Sequence, residues 1–382
     1  LKKLIWPLIL EQILSITIGL ADTIMVSSVG EAAVSGVSLV DMLNVLIINI
    51  FAALATGGAV VVAQLLGSKE RERACDAAKQ LYFVVTLISI GIAAIVMLLR
   101  EPLLRLLFGS IEPDVMQSAL TYLTISIFSY PVLAIYNAGA ALFRAQGNSN
   151  VSMMIAGLIN IVNIVGNATM IYGFHTGVAG AALASMFARI VAAVVITILL
   201  FNPAHTVSLR RGTAFRPDNR LIRRILQIGI PNGLENSLFQ LGRVLVVSII
   251  ALFGTTQIAA NAVANNLDSI GIIPGQAINL AMITVVGQCI GAGDAEQARR
   301  MAKKLVKITY LILGSTCLLC MLFSPLFLMI PGAATGSALI VVGISMLETL
   351  RDVDFSGSEF LPVAVMLLVT AYKGDYVAGI AL

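Results

Sequence analysis

Nine apolar segments, each long enough to cross a bilayer, constrain this chain more than any other feature. A helix needs roughly 20 residues to span the hydrocarbon core, and in lipid only helices and closed barrels satisfy every backbone hydrogen bond. Only 12% of the residues are charged and 58% are hydrophobic. We therefore expect an all-α polytopic membrane protein. The segments are 4–29, 37–66, 81–99, 119–143, 151–172, 180–201, 221–253, 260–291 and 305–330.

The basic residues predict the orientation. If the N-terminus is cytoplasmic, most of the 24 Lys and Arg residues fall on the cytoplasmic side, as membrane proteins prefer. The apolar stretch after Lys2 and Lys3 is too long for the core of a signal peptide, so we expect a retained signal anchor. A net charge of +4, spread over short connections, does not suggest a nucleic-acid partner. We expect a multi-pass protein of the inner (plasma) membrane, in contact with the lipid bilayer.

An internal repeat is the most diagnostic pattern. A shift of 224 positions carries Pro7 onto Pro231 and Glu11 onto Glu235, and the match continues without a gap to Leu305. Six spans separate the copies, so both have the same orientation and predict two pseudo-symmetric lobes around a central cavity. The predicted domains are an N-terminal six-helix lobe (1–201), a cytoplasmic linker (202–220), a three-span C-terminal lobe that is incomplete (221–330), and an atypical tail with one or two short membrane segments (331–382).

The repeat also pairs the loops that follow the second and eighth segments. Gly67 and Gly291 stand at equivalent positions, and we interpret both as the ends of the preceding helices. The charged residues after them are typical of solvated starts of the next helices.

Two carboxylates lie in the first segment. Glu11, Ser15, Gly19 and Asp22 are spaced by 4, 4 and 3 residues, which places them on one face of a helix. A carboxylate in lipid is costly and should face the protein interior. The second copy has Val246 in place of Asp22. We therefore predict cation chemistry in the first lobe, with Asp22 as a cation ligand or a proton carrier; the alternative is a structural Asp that pairs with a neighbour.

Three amides lie in the fifth segment. Asn160, Asn163 and Asn167 are spaced by 3 and 4 residues, so they share a helix face. Their carbonyl oxygens suit Na⁺ and their amides can bind a carboxylate, although membrane Asn residues also hold helices together. We predict that Asn163 and Asn167 join Asp22 in a coupling site. The weaker candidates for this site are Asn137 in the fourth segment and Ser185 in the sixth.

Four residues are candidates for a substrate cavity. They are Glu235, Arg243, Glu11 and Asn160. Glu235 and Arg243 are about 12 Å apart along one helix, so each either binds substrate charge or pairs within its lobe. Glu11 has less weight than Asp22, because it lies nearer the cytoplasmic end, where water can reach it.

The sequence offers no sign of an enzyme. His175 and His205 lie in loops on opposite sides, and neither a nucleophile motif nor a cluster of metal ligands is visible. Cys317 and Cys320 form a CxxC inside an apolar run, which is typical of buried small hydrophobes. We expect no cofactor and no metal site beyond a coupling ion.

Several stretches together resemble the multidrug and toxic compound extrusion (MATE) family. They are LADTIMVSSVG (20–30), GGAVVVAQLLGSKE (57–70), FRAQGNSN (143–150), INIVNIVGNATMIYG (159–173), GVAGAALAS (177–185), IGIPNGLENSLFQLGR (228–243) and VVGQCIGAGD (285–294). The resemblance implies two six-helix lobes and export of small amphipathic, mostly cationic compounds in exchange for H⁺ or Na⁺. We expect a monomer.

The resemblance also implies residue roles. It places the family's acidic cation site on Asp22, with Asn163 beside it and Ser185 as the hydroxyl of the sixth span. The position that is acidic in some members is Asn167 here, which leaves the coupling ion, H⁺ or Na⁺, open.

Two alternatives remain at this point. A lipid-linked oligosaccharide flippase shares the fold, but it would need a more basic cavity. The tail 331–382 weakly resembles a segment of a nucleobase permease, which indicates a truncated or fused, transport-inactive membrane protein as the other alternative.

Overall fold

The computed structural model describes residues 2–108, 113–209, 216–251 and 255–322, and within these ranges every regular element is a helix. The predicted tail 331–382 and its permease-like segment lie outside the described residues. The elements are α1 (Lys2–Ser27), α2 (Glu31–Gly67), α3 (Arg71–Phe108), α4 (Pro113–Ala145), α5 (Ser149–Asn167), a π-helical turn (Ala168–Gly173), α6 (Gly177–Phe201), α7 (Asn219–Ala251), α8 (Thr255–Gly291) and α9 (Ala295–Leu322).

The all-α membrane fold is confirmed. The nine predicted segments are helical over their described residues, except that Ser28 and Val29 form a turn after α1. Seven of the described helices are long and apolar enough to span a bilayer. Helices α7 and α9 are not among these seven. The spanning stretches are Lys3–Val26, Ala32–Gly67, Arg71–Leu107, Pro113–Ala145, Ser149–Gly173, Gly177–Phe201 and Gly271–Gly291.

The first six helices pack around α4. Helix α4 makes its most extensive contacts with α2, and it also packs on α3 and α6, while α5 lies between α1 and α6. Two large aromatic rings, Phe51 of α2 and Tyr130 of α4, are fully buried and meet edge to face with centroids 6.1 Å apart. Within a bilayer, van der Waals packing of such rings stabilises the contact between α2 and α4, on which the site below depends.

The described residues fall into two compact units. The first contains the described residues of 1–242 and 273–312, and the second contains those of 243–272 and 313–382. All contacts discussed below lie within the first unit. The predicted division at 201, 220 and 330 stays a prediction.

The turns after α2 and α8 have the same backbone geometry. In each turn a residue two positions beyond the helix end is left-handed, Lys69 with φ 64° and Gly293 with φ 78°. The N–H of the following residue closes a bond to the carbonyl five positions earlier, as in a Schellman motif. These bonds are Glu70 N to Leu65 O (2.9 Å) and Asp294 N to Cys289 O (3.1 Å). The sequence repeat therefore extends to local backbone conformation.

Gly67 and Gly291 end their helices, as predicted, but capping is not the reason for glycine there. The left-handed residues lie two positions later. A Cβ on Gly67 would overlap the backbone carbonyl of Gln288, and one on Gly291 would overlap that of Gln64. The two glycines therefore allow the backbones of α2 and α8 to touch at equivalent points of the repeat.

Candidate functional site

Four side chains from α1, α5 and α6 form a connected hydrogen-bond network around Asp22. The Nδ2 amide of Asn167 donates to Oδ1 of Asp22, and it also lies 3.3 Å from Oδ1 of Asn163. Asn163 donates to Oγ of Ser185 at 2.9 Å, and Ser185 donates to Oδ2 of Asp22 at 3.4 Å. These hydrogen bonds form a closed ring that begins and ends at the carboxylate of Asp22. The structure therefore brings together four of the five residues predicted for the coupling site.

Helical geometry explains why these four residues meet. Asn163 and Asn167 are one turn apart on α5 and face the same way, while α5 contacts both α1 and α6. All four side chains are buried; Asp22 and Ser185 are each 8% exposed. A buried carboxylate needs hydrogen-bond donors or a cation, and the amide and hydroxyl groups supply the donors.

One polar atom in the network has no partner. The carbonyl oxygen Oδ1 of Asn167 is buried and accepts no hydrogen bond within the described part of the chain. An unpaired buried acceptor costs about 1–3 kcal/mol. Rotation of the Asn167 amide would turn this oxygen towards Asp22, where it could bind a cation but would repel a bare carboxylate.

A second polar group on α2, α4 and α6 lies beside the first. Asn44 donates to Oδ1 of Asp41 at 3.5 Å and accepts from the hydroxyl of the fully buried Tyr130 at 2.9 Å. Arg189 of α6 donates to Oγ of Ser129 at 2.6 Å. Arg189 interacts electrostatically with both Asp22 and Asp41.

Sequence reasoning missed Asp41 and Arg189 as site residues. Asp41 lies within the second apolar segment. Arg189 follows Ser185 by one turn on α6, so it shares the face that carries Ser185. The signal for both residues is a charge inside an apolar segment, which marks a functional candidate by default.

The charges of the combined group determine what it can bind. With Asp22 and Asp41 both ionised, the two carboxylates and the guanidinium of Arg189, which interacts electrostatically with each of them, carry a formal charge of −1. A single monovalent cation or proton balances that charge. A group of this kind could alternate between a charged and a neutral state without any metal of higher charge.

Asn160 and Asn137 are engaged elsewhere. Asn160 donates to the carbonyl of Leu14 on α1 at 3.0 Å and to that of Ala156 at 2.9 Å, which joins α5 to α1 one turn or more from Asp22. Asn137 donates to the carbonyl of Leu133 in its own helix at 3.1 Å. Neither has a hydrogen bond to the network around Asp22 among the described bonds.

Glu11 is not hydrated, contrary to our interpretation of its position. It is 6% exposed, and its Oε1 lies 2.6 Å from the NH1 of Arg144. The hydroxyl of Ser152 donates to Oε2 at 2.7 Å. Thr284 of α8 in turn donates to the carbonyl of Arg144 at 2.9 Å. Glu11 therefore belongs to a buried ion pair where α1, α4 and α5 meet, next to a contact with α8.

The remaining candidates lie on α7. Glu235 is exposed and Arg243 is partly buried. Their assignment to a substrate cavity stays a prediction.

The MatE family model matches residues 7–169 and 231–345. The uncharacterized transporter YisQ of Bacillus subtilis is 26% identical over 360 residues, which cover 92% of this chain and 78% of YisQ. A probable multidrug resistance protein NorM of Thermotoga maritima is 27% identical over 300 residues, 78% of this chain and 64% of that protein.

Solved structures show the same fold. A crystal structure of a MATE protein in a bent conformation aligns with a TM-score of 0.81 at 23% identity, over 88% of this chain and 76% of that one. The chain thus spans about two thirds to three quarters of the length of these relatives.

Proposed function

The chain belongs to the MATE family of membrane transporters, and we propose that it is a secondary antiporter that exports amphipathic organic cations in exchange for a monovalent cation bound at Asp22. One observation carries the proposal: the buried hydrogen-bond network that links Asp22, Asn163, Asn167 and Ser185 across three helices. A change of charge on Asp22 alters bonds to α5 and α6 together. Ion binding is thereby coupled to the packing of helices.

We propose a proton as the coupling ion. The amide hydrogens of Asn167, not its carbonyl oxygen, face Oδ1 of Asp22. Oδ2 accepts only a long bond, 3.4 Å, from Ser185 among the described bonds, so it is the oxygen better placed to take a proton. Na⁺ is the alternative, because the unpaired Oδ1 of Asn167 is a hard ligand that a rotation of the amide would bring to Asp22.

Arg189 has a separate role in this scheme. Its guanidinium offsets one of the two carboxylate charges, so that one proton on Asp22 makes the whole group neutral. A neutral group no longer holds a cationic substrate by charge. Proton uptake and substrate release are thereby linked, since any ligand shifts a conformational equilibrium only by its differential affinity for the two states. The formal charge of −1 also disfavours an anionic cargo such as a lipid-linked oligosaccharide.

The relatives and the charge distribution support the rest of the proposal. Names such as multidrug resistance protein suggest small, chemically varied substrates for this chain too. The basic connections support a cytoplasmic N-terminus in the inner membrane. A monomeric state remains a prediction.

The test is efflux of a fluorescent lipophilic cation from proteoliposomes. An inward proton gradient (acidic outside) and an inward Na⁺ gradient are imposed in separate experiments. We expect the pH gradient to drive efflux and the Na⁺ gradient at equal pH to have no effect. Efflux under the Na⁺ gradient alone would show that the coupling ion is Na⁺ and not the proton. Absence of efflux under both gradients, from folded protein, would overturn the proposed antiport.

A further inference from the structure

A polar cavity of about 430 Å³ opens where α3 and α7 begin, and Asp22 is not among its lining residues. Both helices start on the same side of the membrane, the side assigned above to the cytoplasm. The cavity carries four basic and two acidic side chains, so its formal charge is +2. The charged residues are Arg73, Lys79, Arg216, Arg220, Asp76 and Asp218.

Both acidic side chains are engaged within the protein. The carboxylate of Asp218 accepts the backbone N–H of Arg220 at 2.8 Å, so it caps the start of α7. Asp76 lies 3.3 Å from Nζ of Lys79 on the next turn of α3. The guanidinium of Arg73 forms an ion pair with Glu70 at 2.6 Å but remains 68% exposed, and Arg220 is exposed. These two cations are accessible to an anion that enters the cavity.

A buried glutamine gives the second, independent indication of a ligand. Gln80 lines the cavity, is only 3% exposed, and donates through Nε2 to the carbonyl of Arg216 at 2.6 Å. Its carbonyl Oε1 is buried and has no donor within the described residues. An unmet acceptor of this kind is costly. The ligand that suits this lining combines an anionic group for the arginines with a hydroxyl or amine hydrogen for Gln80.

A mostly apolar groove adjoins the polar cavity. The two share Asn219, and the groove, of about 580 Å³, runs along α7 past Ile222, Leu226, Ile230 and Pro231, with Arg223 and Gln227 also in its lining. The polar cavity lies at the level where α3 changes from charged residues to the apolar run that begins at Leu81. A molecule that fills both spaces has a polar anionic head at the membrane surface and a hydrocarbon chain directed into the bilayer.

From these features we propose that the cavity between the starts of α3 and α7 binds the headgroup of an anionic glycerophospholipid that carries a free hydroxyl. Its phosphodiester lies against Arg73 and Arg220, a headgroup hydroxyl donates to Oε1 of Gln80, and one acyl chain occupies the groove on α7. Basic pockets between helices at the cytoplasmic surface recognise anionic headgroups in this way. The site is independent of the proposed coupling at Asp22.

Two other ligands fit the lining less well. Inorganic phosphate provides the charge but leaves the apolar groove empty. A phosphocholine lipid fills the groove but has neither a net negative charge nor a hydrogen donor for Gln80. Phosphatidylglycerol provides all three features, and it is the probe for the test.

The test compares retention of phosphatidylglycerol and phosphatidylcholine by the full chain in detergent, measured by native mass spectrometry. The variants are Arg73→Gln with Arg220→Gln, which removes positive charge, and Gln80→Glu, which adds a negative charge that repels the phosphodiester. The matched control is Arg299→Gln with Lys303→Gln, because these exposed basic residues at the start of α9 also lie on the cytoplasmic side but outside the cavity.

We expect the parent chain and the control to retain phosphatidylglycerol preferentially and to differ by less than about threefold. The Arg73/Arg220 variant should lose about 25-fold in affinity, since each cation near an anionic membrane surface contributes about fivefold, and Gln80→Glu should lose at least as much. Equal retention of both lipids by the parent, or an equal loss in the α9 control, would overturn the site. Displacement of the lipid by millimolar inorganic phosphate would assign the cavity to free phosphate instead.

Discussion

The amide of Asn167 donates a hydrogen bond to the carboxylate of Asp22, across 145 positions of sequence. Both side chains are buried within the bundle of the first six helices. This bond joins α1 to α5, and Ser185 extends the network to α6. The charge state of one carboxylate is therefore tied to the contacts among three helices.

Replacement of Asn167 by Asp should change the ion that the site accepts. The variant would place two carboxylates in direct contact, so they must share a proton or bind a metal cation. We expect 100 mM NaCl, compared with choline chloride, to raise the melting temperature of Asn167→Asp but not that of the parent, because a ligand that binds only the folded state stabilises it. An equal Na⁺ response in both proteins would show that the parent already binds Na⁺.

Arg189→Gln should impair transport far more than the same substitution of an exposed arginine. Without Arg189, Asp22 and Asp41 lose the positive charge that interacts electrostatically with both of them. Gradient-driven efflux should fall by about tenfold or more. The control is Arg100→Gln, since Arg100 also donates to a hydroxyl, that of Thr124 at 3.1 Å, but is exposed. Similar efflux in the two variants would remove Arg189 from the proposed scheme.

Glu11→Gln should destabilise the fold without a direct effect on ion coupling. It leaves Arg144 buried without its partner, which costs about 3–5 kcal/mol. The control is Glu101→Gln, which breaks an exposed pair of the same residue types, Arg105 and Glu101 at 2.8 Å, worth about 0–1 kcal/mol. Thermal unfolding in detergent measures both variants. A Glu11→Gln protein of parental stability that had lost proton coupling would instead place Glu11 in the coupling pathway.

Gly67→Ala should separate the ends of α2 and α8. The added methyl group meets the carbonyl of Gln288, which cannot move without its helix. We expect faster alkylation of the partly buried Cys289, measured by mass spectrometry of its peptide after treatment with a water-soluble maleimide. Gly91→Ala is the control, because a Cβ there meets nothing within 4 Å. Equal labelling in the two variants would contradict the close contact.

The helices and four residues of the network around Asp22 could be predicted from the sequence, because apolar length and residue spacing follow directly from helix geometry. Apolar length identifies spans, and the spacing of Asn163 and Asn167 fixes a shared face whatever packs on it. The spacing of residues along one helix does not show which other helix packs against that face. The pairing of Glu11 with Arg144 spans 133 positions, and it became visible only once α1 and α4 were packed.

The role of Gly67 and Gly291 could also not be predicted from local sequence. The repeat showed that Gly67 and Gly291 are equivalent, and local rules suggested helix caps. The actual requirement is the approach of another backbone, which depends on tertiary structure. Arg189 was missed for a different reason, since its position within an apolar segment was visible in the sequence but was not weighed.

The most direct test of the central claim compares two modes of transport in Asp22→Asn proteoliposomes. Asn resembles a protonated Asp in size and charge but cannot release a proton. We expect the variant to lose efflux driven by a pH gradient and the accompanying proton uptake, while it retains exchange of labelled for unlabelled substrate at equal pH on both sides. Proton-driven efflux at the parental rate would contradict the assignment of the coupling ion to Asp22.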